Sequence, residues 1–275
     1  MKKNKTGTIF LYAAAILWTI CCLFPLAFSA LSSFKNTTQI LSHPFALPER
    51  ISFENYLYAI EHAQILRAVW NSIVYAFLAT AIILLVSLLA AYALTRLRFR
   101  LAPAFSLFYV AGITLPIYAA LVPLSQIMST LHLRDTVIGL VLVYVAVNLS
   151  FSVYMLSGYM RSISRELDEA ARIDGCTTGG ILFRIIMPLM KPAATSAAII
   201  TFLRIYNDLI LAILFLSDKK LQTVSIALLS FKSESYVDYG GSFAGILLSI
   251  LPLVVLYILF QNKIIGGMTD GAVKG

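Results

Sequence analysis

Apolar residues in this chain occur in uninterrupted blocks separated by short polar segments. Each block has about 20 residues, the length that a helix needs to cross roughly 30 Å of hydrocarbon. Continuous blocks, in place of short alternating segments, predict membrane-spanning helices and not a β-barrel. The pattern predicts six spans, at 8–31, 69–94, 103–127, 137–159, 193–216 and 242–260. We therefore expect an all-α polytopic membrane protein with one transmembrane domain over residues 1–275.

The composition agrees with this prediction. Hydrophobic residues make up 60% of the chain and charged residues 12%, whereas soluble globular proteins have about 45–50% and roughly 25%. The first block is longer than the apolar region of a signal peptide, which has about 7–15 residues, so we interpret it as an uncleaved span.

The basic residues predict the orientation. Thirteen lysines and arginines fall in segments that we assign to the cytoplasm, seven fall in segments assigned outside, and Arg204 lies in a span. This bias predicts that both termini are cytoplasmic, together with the loop 161–191 and the C-terminal tail 261–275. It also explains the net charge of +8, so we expect no nucleic-acid partner.

The loop 161–191 contains a predicted amphipathic helix. Ser164 precedes a cluster of carboxylates that suits a helix N-terminus, and Gly175 is placed to end the helix in the left-handed conformation. A second short helix is expected at about 180–186, ended by Pro188. A small, mainly apolar face predicts either an ordinary surface helix or a docking site for a partner. That face consists of Leu167, Ala170, Ala171 and Asp174.

The spacing of this loop resembles a known family. Glu169-Ala170-Ala171, then Gly175, Ile185 and Met187-Pro188, is similar to the EAA loop of ABC importer permeases, with Met187 where leucine is usual. Asn71-Ser72, Ala90-Ala91-Tyr92-Ala93-Leu94 and the glycine-rich segment from Gly266 to Gly275 resemble the carbohydrate-uptake branch. Within that branch the chain resembles the shorter maltose-type permease subunit.

This resemblance implies the type I ABC importer permease fold in a bacterial plasma (inner) membrane. It also implies four kinds of partner besides the lipid membrane: a second homologous permease, a dimer of ABC ATPase subunits, an extracytoplasmic sugar-binding protein and the sugar substrate. Gly271 and Lys274 of the tail would face the ATPase. The residues that would couple the chain to the ATPase are Leu167, Glu169, Ala170, Ala171, Asp174, Gly175 and Pro188.

Residues for catalysis or cofactor binding are not predicted. No glycine directly precedes a lysine, so the chain has no phosphate-binding P-loop, and ATP and Mg would bind to the partner ATPase. Three cysteines, two of them adjacent, fit neither a disulfide framework nor a metal site. The isolated histidines suggest no metal site either. We therefore expect a chain that is not an enzyme and holds no cofactor.

A second set of polar residues lies within the predicted spans. Arg204 and Asp208 are four positions apart and can pair on one helix face, either as a structural ion pair or as part of a translocation path. Tyr118 lies between Pro116 and Pro123, which are expected to bend the third span near a pore or in packed protein. The candidates for the translocation path are Arg204, Tyr206, Asn207, Asp208 and Tyr118.

The sequence thus favours a permease subunit of an ATP-driven sugar importer, forming half of the translocation pathway. An ion-coupled secondary transporter or channel is the alternative, which would predict inverted repeats and ion ligands at the membrane midplane. A membrane enzyme would need clustered catalytic side chains. The sequence does not identify the sugar.

Overall fold

The chain is built from helices, as predicted. The computed structural model describes the backbone of residues 5–233 and 236–272, and the side chains of residue 8, residues 10–233 and residues 236–261. Within these residues the β-structure is limited to an isolated bridge between Lys232 and Val237. The chain forms two compact units, Met1–Arg67 with Ala227–Pro252 and Ala68–Ile226 with Leu253–Gly275.

The described helices follow one another with short connections. In chain order they are α1 (Lys5–Ser32), α2 (Thr37–Ser42), α3 (Glu54–Glu61), α4 (Ile65–Arg96), α5 (Ala102–Thr114), a 3₁₀ turn (Ile117–Ala120), α6 (Leu121–Thr130), α7 (Val137–Ser162), α8 (Glu166–Ile173), α9 (Thr178–Ile181), a π-helical turn (Leu182–Ile186), α10 (Met187–Leu189), α11 (Lys191–Tyr206), α12 (Ile210–Phe215), α13 (Val224–Leu229) and α14 (Tyr239–Ala272).

Four helices among the described residues are long and apolar enough to cross a membrane. They contain most of the predicted spans 8–31, 69–94, 137–159 and 242–260. Two further candidates are helix pairs that bend sharply, so the number of spans is four, or six if each bent pair is one span. The four long segments are Phe10–Ser32, Ile65–Arg96, Val137–Ser162 and Tyr239–Gln261.

The first bent pair corresponds to the predicted third span. Ala102–Thr114 and Ile117–Thr130 meet at 94°, and Pro116, which has no N–H to donate, directly precedes the 3₁₀ turn. Pro123 lies in the first turn of α6, where a proline is tolerated. The bend predicted for this region therefore occurs at Pro116, and Pro123 does not interrupt its helix.

The predicted fifth span, 193–216, is not one helix. α11 ends at Tyr206 and α12 begins at Ile210. Before α11, the segment Thr178–Leu189 meets Lys191–Tyr206 at 70°. The apolar block is continuous in sequence, but the backbone turns at both ends of α11.

Apolar side chains on α1 face outward. Phe10, Leu11 and Trp18 are each about seven-tenths exposed. A soluble monomer rarely leaves so large an apolar surface uncovered, whereas a helix in hydrocarbon does so without cost. The exposure of α1 therefore fits a membrane-spanning segment.

The first unit contains a buried lysine just after the end of α1. Lys35 is 1% exposed, and its Nζ donates to the carbonyl oxygen of Pro44 at 2.9 Å. Asn55 Nδ2 donates to the carbonyl oxygens of Ser33 and Lys35 at 2.7 and 2.9 Å. A Cβ on Gly240 would lie 2.5 Å from the Lys35 carbonyl oxygen, so this position requires glycine. The polar segment after the first span is thus a folded structure.

The second unit contains the apolar core that supports α8. Its members come from the ends of α4 and α7 and from the segment that runs from α8 into α11. Because these elements share one core, α8 is positioned by helices that are distant from it in sequence. The buried residues are Ala91, Tyr92, Leu156, Met160, Ala171, Ile181, Leu182, Ile186, Met190, Ala193 and Ala197.

Candidate functional site

α8 begins with local capping contacts. The Oγ of Ser164 accepts a hydrogen bond from the backbone N–H of Glu166 at 3.2 Å. Glu166, Asp168 and Glu169 lie in the first turn, where carboxylates interact favourably with the helix dipole. The N-cap is Arg165, so Ser164 lies one residue before it and the predicted start of the helix is correct to within a residue.

Gly175 ends α8 in the way that the sequence predicts. Its φ is +79°, in the left-handed region that favours glycine. The N–H of Gly175 donates to the carbonyl of Arg172 at 3.0 Å, and that of Cys176 donates to the carbonyl of Ala171 at 2.9 Å. These two hydrogen bonds form a Schellman motif, which satisfies carbonyl groups at the helix end.

A buried ion pair attaches α8 to α4. Arg96 Nε lies 3.3 Å from Asp168 Oδ2, with the two side chains 2% and 8% exposed. Another guanidinium nitrogen of Arg96 donates to the carbonyl oxygens of Met160 and Ile163 at 3.1 and 2.7 Å. Arg96 therefore joins the ends of α4 and α7 to the first turn of α8.

Arg165 makes a second connection to α4. One of its guanidinium nitrogens donates to the carbonyl oxygen of Thr95 at 2.9 Å. The sequence indicated Arg96 only as a basic residue that marks orientation, and its contact with Asp168 was missed. Arg96 and Asp168 are far apart in sequence, so no local pattern signals their contact.

The two sides of α8 differ in burial. Ala171 is buried in the core, whereas Leu167 and Ala170 are exposed. The predicted single exposed face of Leu167, Ala170, Ala171 and Asp174 is therefore wrong for Ala171, which packs into the core of the second unit. Ile173, which the prediction omitted, is 87% exposed. The other predicted coupling residues, Glu169, Asp174, Gly175 and Pro188, are exposed.

The second helix of the loop begins earlier than predicted. Thr177 caps it, accepting a hydrogen bond from the N–H of Gly180 at 3.2 Å, and α9 starts at Thr178. Pro188 does not end it, because this proline lies in the first turn of α10 and the chain bends after Leu189. The Tyr92 hydroxyl donates to the Thr178 carbonyl at 3.3 Å, which ties this helix to α4.

Arg204 and Asp208 do not form the predicted pair in the described structure. α11 ends between them, so the helical spacing of four positions does not apply. Asp208 Oδ2 instead accepts hydrogen bonds from the Tyr144 hydroxyl at 3.1 Å and the Ala212 N–H at 3.0 Å. The guanidinium carbon of Arg204 lies 5.2 Å from the ring centroid of Phe151. Asp208 thus caps α12, and Arg204 contacts an aromatic ring.

The remaining translocation-path candidates are not brought together. Tyr206 is buried and its ring stacks on Phe202 at a centroid distance of 6.1 Å. Asn207 is exposed and donates to the carbonyl of Leu203. Tyr118 is 64% exposed on the 3₁₀ turn. Arg204, Asn207 and Tyr118 are exposed, whereas Tyr206 is buried and Asp208 is half-buried.

Two predicted residues cannot be assigned a geometry. Lys274 lies outside the described residues, and the side-chain description does not extend to Gly271. Among the residues that are described, no group of three or more histidines, cysteines, aspartates or glutamates is placed to hold a metal ion.

Known proteins resemble this chain over nearly its whole length. The probable ABC transporter permease YurM of Bacillus subtilis is 33% identical, over 100% of this chain and 91% of that protein. The trehalose/maltose transport system permease MalG of Thermococcus litoralis is 31% identical over 100% of both chains. A chain from a bacterial ABC transporter involved in the import of the acidic polysaccharide alginate has the same fold, with a TM-score of 0.81 at 23% identity, covering 95% of this chain and 98% of that one.

The α8 loop and the helices around it fall within one family model, which matches residues 83–265. That model describes the inner membrane component of binding-protein-dependent transport systems. The match covers most of the chain and includes both bent helix pairs. This chain therefore belongs to the family of binding-protein-dependent transport system inner membrane components.

Proposed function

We propose that this chain is the permease subunit of an ATP-driven sugar importer and that α8 couples it to a separate ATPase. The observation that carries the proposal is the division of α8 into two sides. Asp168 and Ala171 fix the inner side to the transmembrane helices, while Ala170 and Ile173 are exposed on the outer side. An exposed apolar surface on a firmly attached helix suits a docking partner.

The contacts of α8 explain how movement would reach the membrane. Arg96 and Arg165 connect α8 to the ends of α4 and α7. A displacement of α8 by the ATPase would therefore move these helix ends with it. Closure of the ATPase dimer on ATP would switch the pathway between inward-open and outward-open states, and this chain would form half of that pathway.

The proposed complex has four kinds of component besides this chain. They are a second homologous permease, a dimer of ABC ATPase subunits that binds ATP and Mg, an extracytoplasmic sugar-binding protein and the sugar. The family description itself refers to binding-protein-dependent transport. A relative over the whole chain length transports trehalose and maltose by its name, so we propose a sugar as the substrate of this chain also.

Substitution of Ala170 tests the coupling role. Ala170→Phe enlarges an exposed residue of α8, so the chain should still fold and insert. The assay measures ATP-dependent uptake of labelled trehalose or maltose into proteoliposomes that contain the complex and its binding protein. Loss of a central docking contact should lower this uptake roughly tenfold or more. Ser129→Phe is the matched control, because Ser129 is also small, exposed and helical but lies on α6. Equal uptake by both variants would contradict the role of α8.

The energy source separates this proposal from an ion-coupled secondary transporter. Uptake should require ATP on the side of α8 and should persist when an ionophore collapses the ion gradients. Uptake by the purified chain alone, driven by an ion gradient, would establish the alternative.

A further inference from the structure

A polar cavity of about 320 Å³ lies beside α8 in the second unit. Its walls contain four arginines and two carboxylates, so positive charge predominates. The arginines are Arg96, Arg98, Arg165 and Arg172, and the carboxylates are Asp168 and Glu169.

Two of these arginines form neither an ion pair nor a hydrogen bond within the described contacts. Arg96 is paired with Asp168, and Arg165 donates to the Thr95 carbonyl. Arg98 and Arg172 are exposed and form no ion pair within the described part of the chain. Guanidinium groups bind the oxygens of phosphate with paired hydrogen bonds. Arg98 and Arg172 are therefore suited to bind a phosphate group.

The position of the cavity indicates where that phosphate comes from. The connection from α4 to α5 alternates exposed apolar residues, Leu97 and Phe99, with the exposed basic residues Arg98 and Arg100. Apolar side chains interleaved with arginines at the end of an apolar helix are typical of the headgroup region of a membrane. This pattern favours the lipid phosphates as the binding partner of Arg98.

Carboxylates line the cavity beside the arginines. Asp168 is paired with Arg96 through Oδ2, and its Oδ1 is buried. Glu169 lines the same cavity and is exposed. A headgroup that carries a hydroxyl or ammonium donor next to its phosphate would complement this combination of acids and arginines.

From these observations we infer that the cavity binds the phosphate-bearing headgroup of a membrane phospholipid, with Arg98 and Arg172 as the phosphate ligands. The headgroup would lie against both α4 and α8. If α8 couples to an ATPase, as proposed above, the lipid composition of the membrane adjusts that coupling. Lipid binding itself does not depend on the coupling role, so the two are tested separately.

Lipid binding is measured on the complex that is purified through a tag on the full-length chain. The probe is dioleoylphosphatidylglycerol titrated in detergent, with bound lipid detected by native mass spectrometry. The Arg98→Gln, Arg172→Gln double variant should bind roughly 30-fold more weakly at one site. Arg100→Gln is the control, because Arg100 is exposed and basic but does not line the cavity. Equal losses in both variants, or none in the double variant, would overturn the proposal.

A second titration distinguishes a lipid from a soluble anion. Inorganic phosphate and glycerol phosphate at the same concentrations should stabilise the complex far less than the lipid does in thermal unfolding. Equal stabilisation by the soluble anions would overturn the assignment to a lipid.

The effect on coupling is measured in nanodiscs with and without phosphatidylglycerol. Lipid-dependent changes in ATP hydrolysis should be smaller for Arg98→Gln than for Arg100→Gln. If the lipid binds at the arginines but hydrolysis does not respond, the site remains and only its role in coupling is removed. If Ala170→Phe leaves uptake intact, the coupling role fails while the lipid site stands.

Discussion

Arg96 and Asp168 form a buried ion pair that joins the end of α4 to the first turn of α8, with Nε and Oδ2 3.3 Å apart. The pair is not fully satisfied, because Arg96 Nε and Asp168 Oδ1 make no hydrogen bond among the described contacts. Each charge therefore depends on the other for its stability in the interior. This dependence has a measurable consequence.

Removal of one partner should cost more than removal of both. Asp168→Leu leaves the Arg96 charge buried and unpaired, which costs about 3–5 kcal/mol in comparable pairs. Arg96→Met leaves Asp168 in the same state. The double variant should lose less stability than either single variant, as measured by thermal unfolding of the purified protein in detergent. Additive losses would show that the two side chains are not coupled.

Gly175 should be required for its backbone conformation and not for its small size. A Cβ at this position would have no heavy atom within 4 Å, but φ is +79°. Gly175→Ala should therefore destabilise the protein by about 1–2 kcal/mol, and Gly175→Asn by less, because asparagine tolerates this region. Thermal unfolding of the two variants measures the difference.

Gly179 provides the control for this comparison. A Cβ there would also meet open space, but Gly179 lies in α9 with an ordinary φ. Gly179→Ala should be neutral or stabilising by up to about 1 kcal/mol. A similar loss at both glycines would contradict the role of the Schellman motif.

Asp208 should act as a helix cap and not as the partner of Arg204. Asparagine retains an oxygen that can accept from the Ala212 N–H, so Asp208→Asn should unfold near the wild-type temperature. Asp208→Ala removes the cap and should cost about 1 kcal/mol. If Arg204→Gln restored the unfolding temperature of Asp208→Ala, the two side chains would interact, and capping alone would not explain the role of Asp208.

Local features of α8 could be predicted from the sequence, whereas its attachments could not. Gly175 and the first-turn carboxylates act over a few residues, so their spacing is enough to predict the helix ends. Arg96 resembles Arg98 and Arg100 in sequence, and only the fold shows that Arg96 is the one buried against Asp168. Long-range pairing of this kind leaves no local pattern.

The errors in the predicted site have two causes. Pairing of Arg204 with Asp208 assumed a helix that continues past Tyr206, but the helix ends there. The face that included Ala171 assumed that small apolar residues are on one side. In the structure Ala171 is buried, and Ile173 is exposed near the helix end. Helical periodicity gives the relative directions of side chains and does not say which direction faces the core.

Asp135 should give the connection between α6 and α7 a pH dependence. Its carboxylate accepts hydrogen bonds from the backbone N–H groups of Asp218 and Ser217, and these bonds lower the pKa of Asp135. A lowered folded-state pKa contributes stability above the unfolded pKa of about 3.9, and that contribution is lost as the pH falls through the folded pKa.

The measurement for Asp135 compares thermal unfolding of wild type and Asp135→Asn between about pH 6 and about pH 3. The wild type should be the more stable at the upper end, and the difference should shrink as the pH falls. If the difference in unfolding temperature between wild type and Asp135→Asn stays constant with pH, ionisation of Asp135 does not contribute to the stability of the folded protein.

The inner and outer sides of α8 should give different mutant phenotypes, although the helix has only eight residues. A scan of all substitutions, with protein abundance and uptake read in parallel, should show abundance losses at Asp168 and Ala171. At Ala170 and Ile173 abundance should be normal and uptake should fall. The two profiles would alternate with the period of the helix, so a genetic selection alone could recover the orientation of α8.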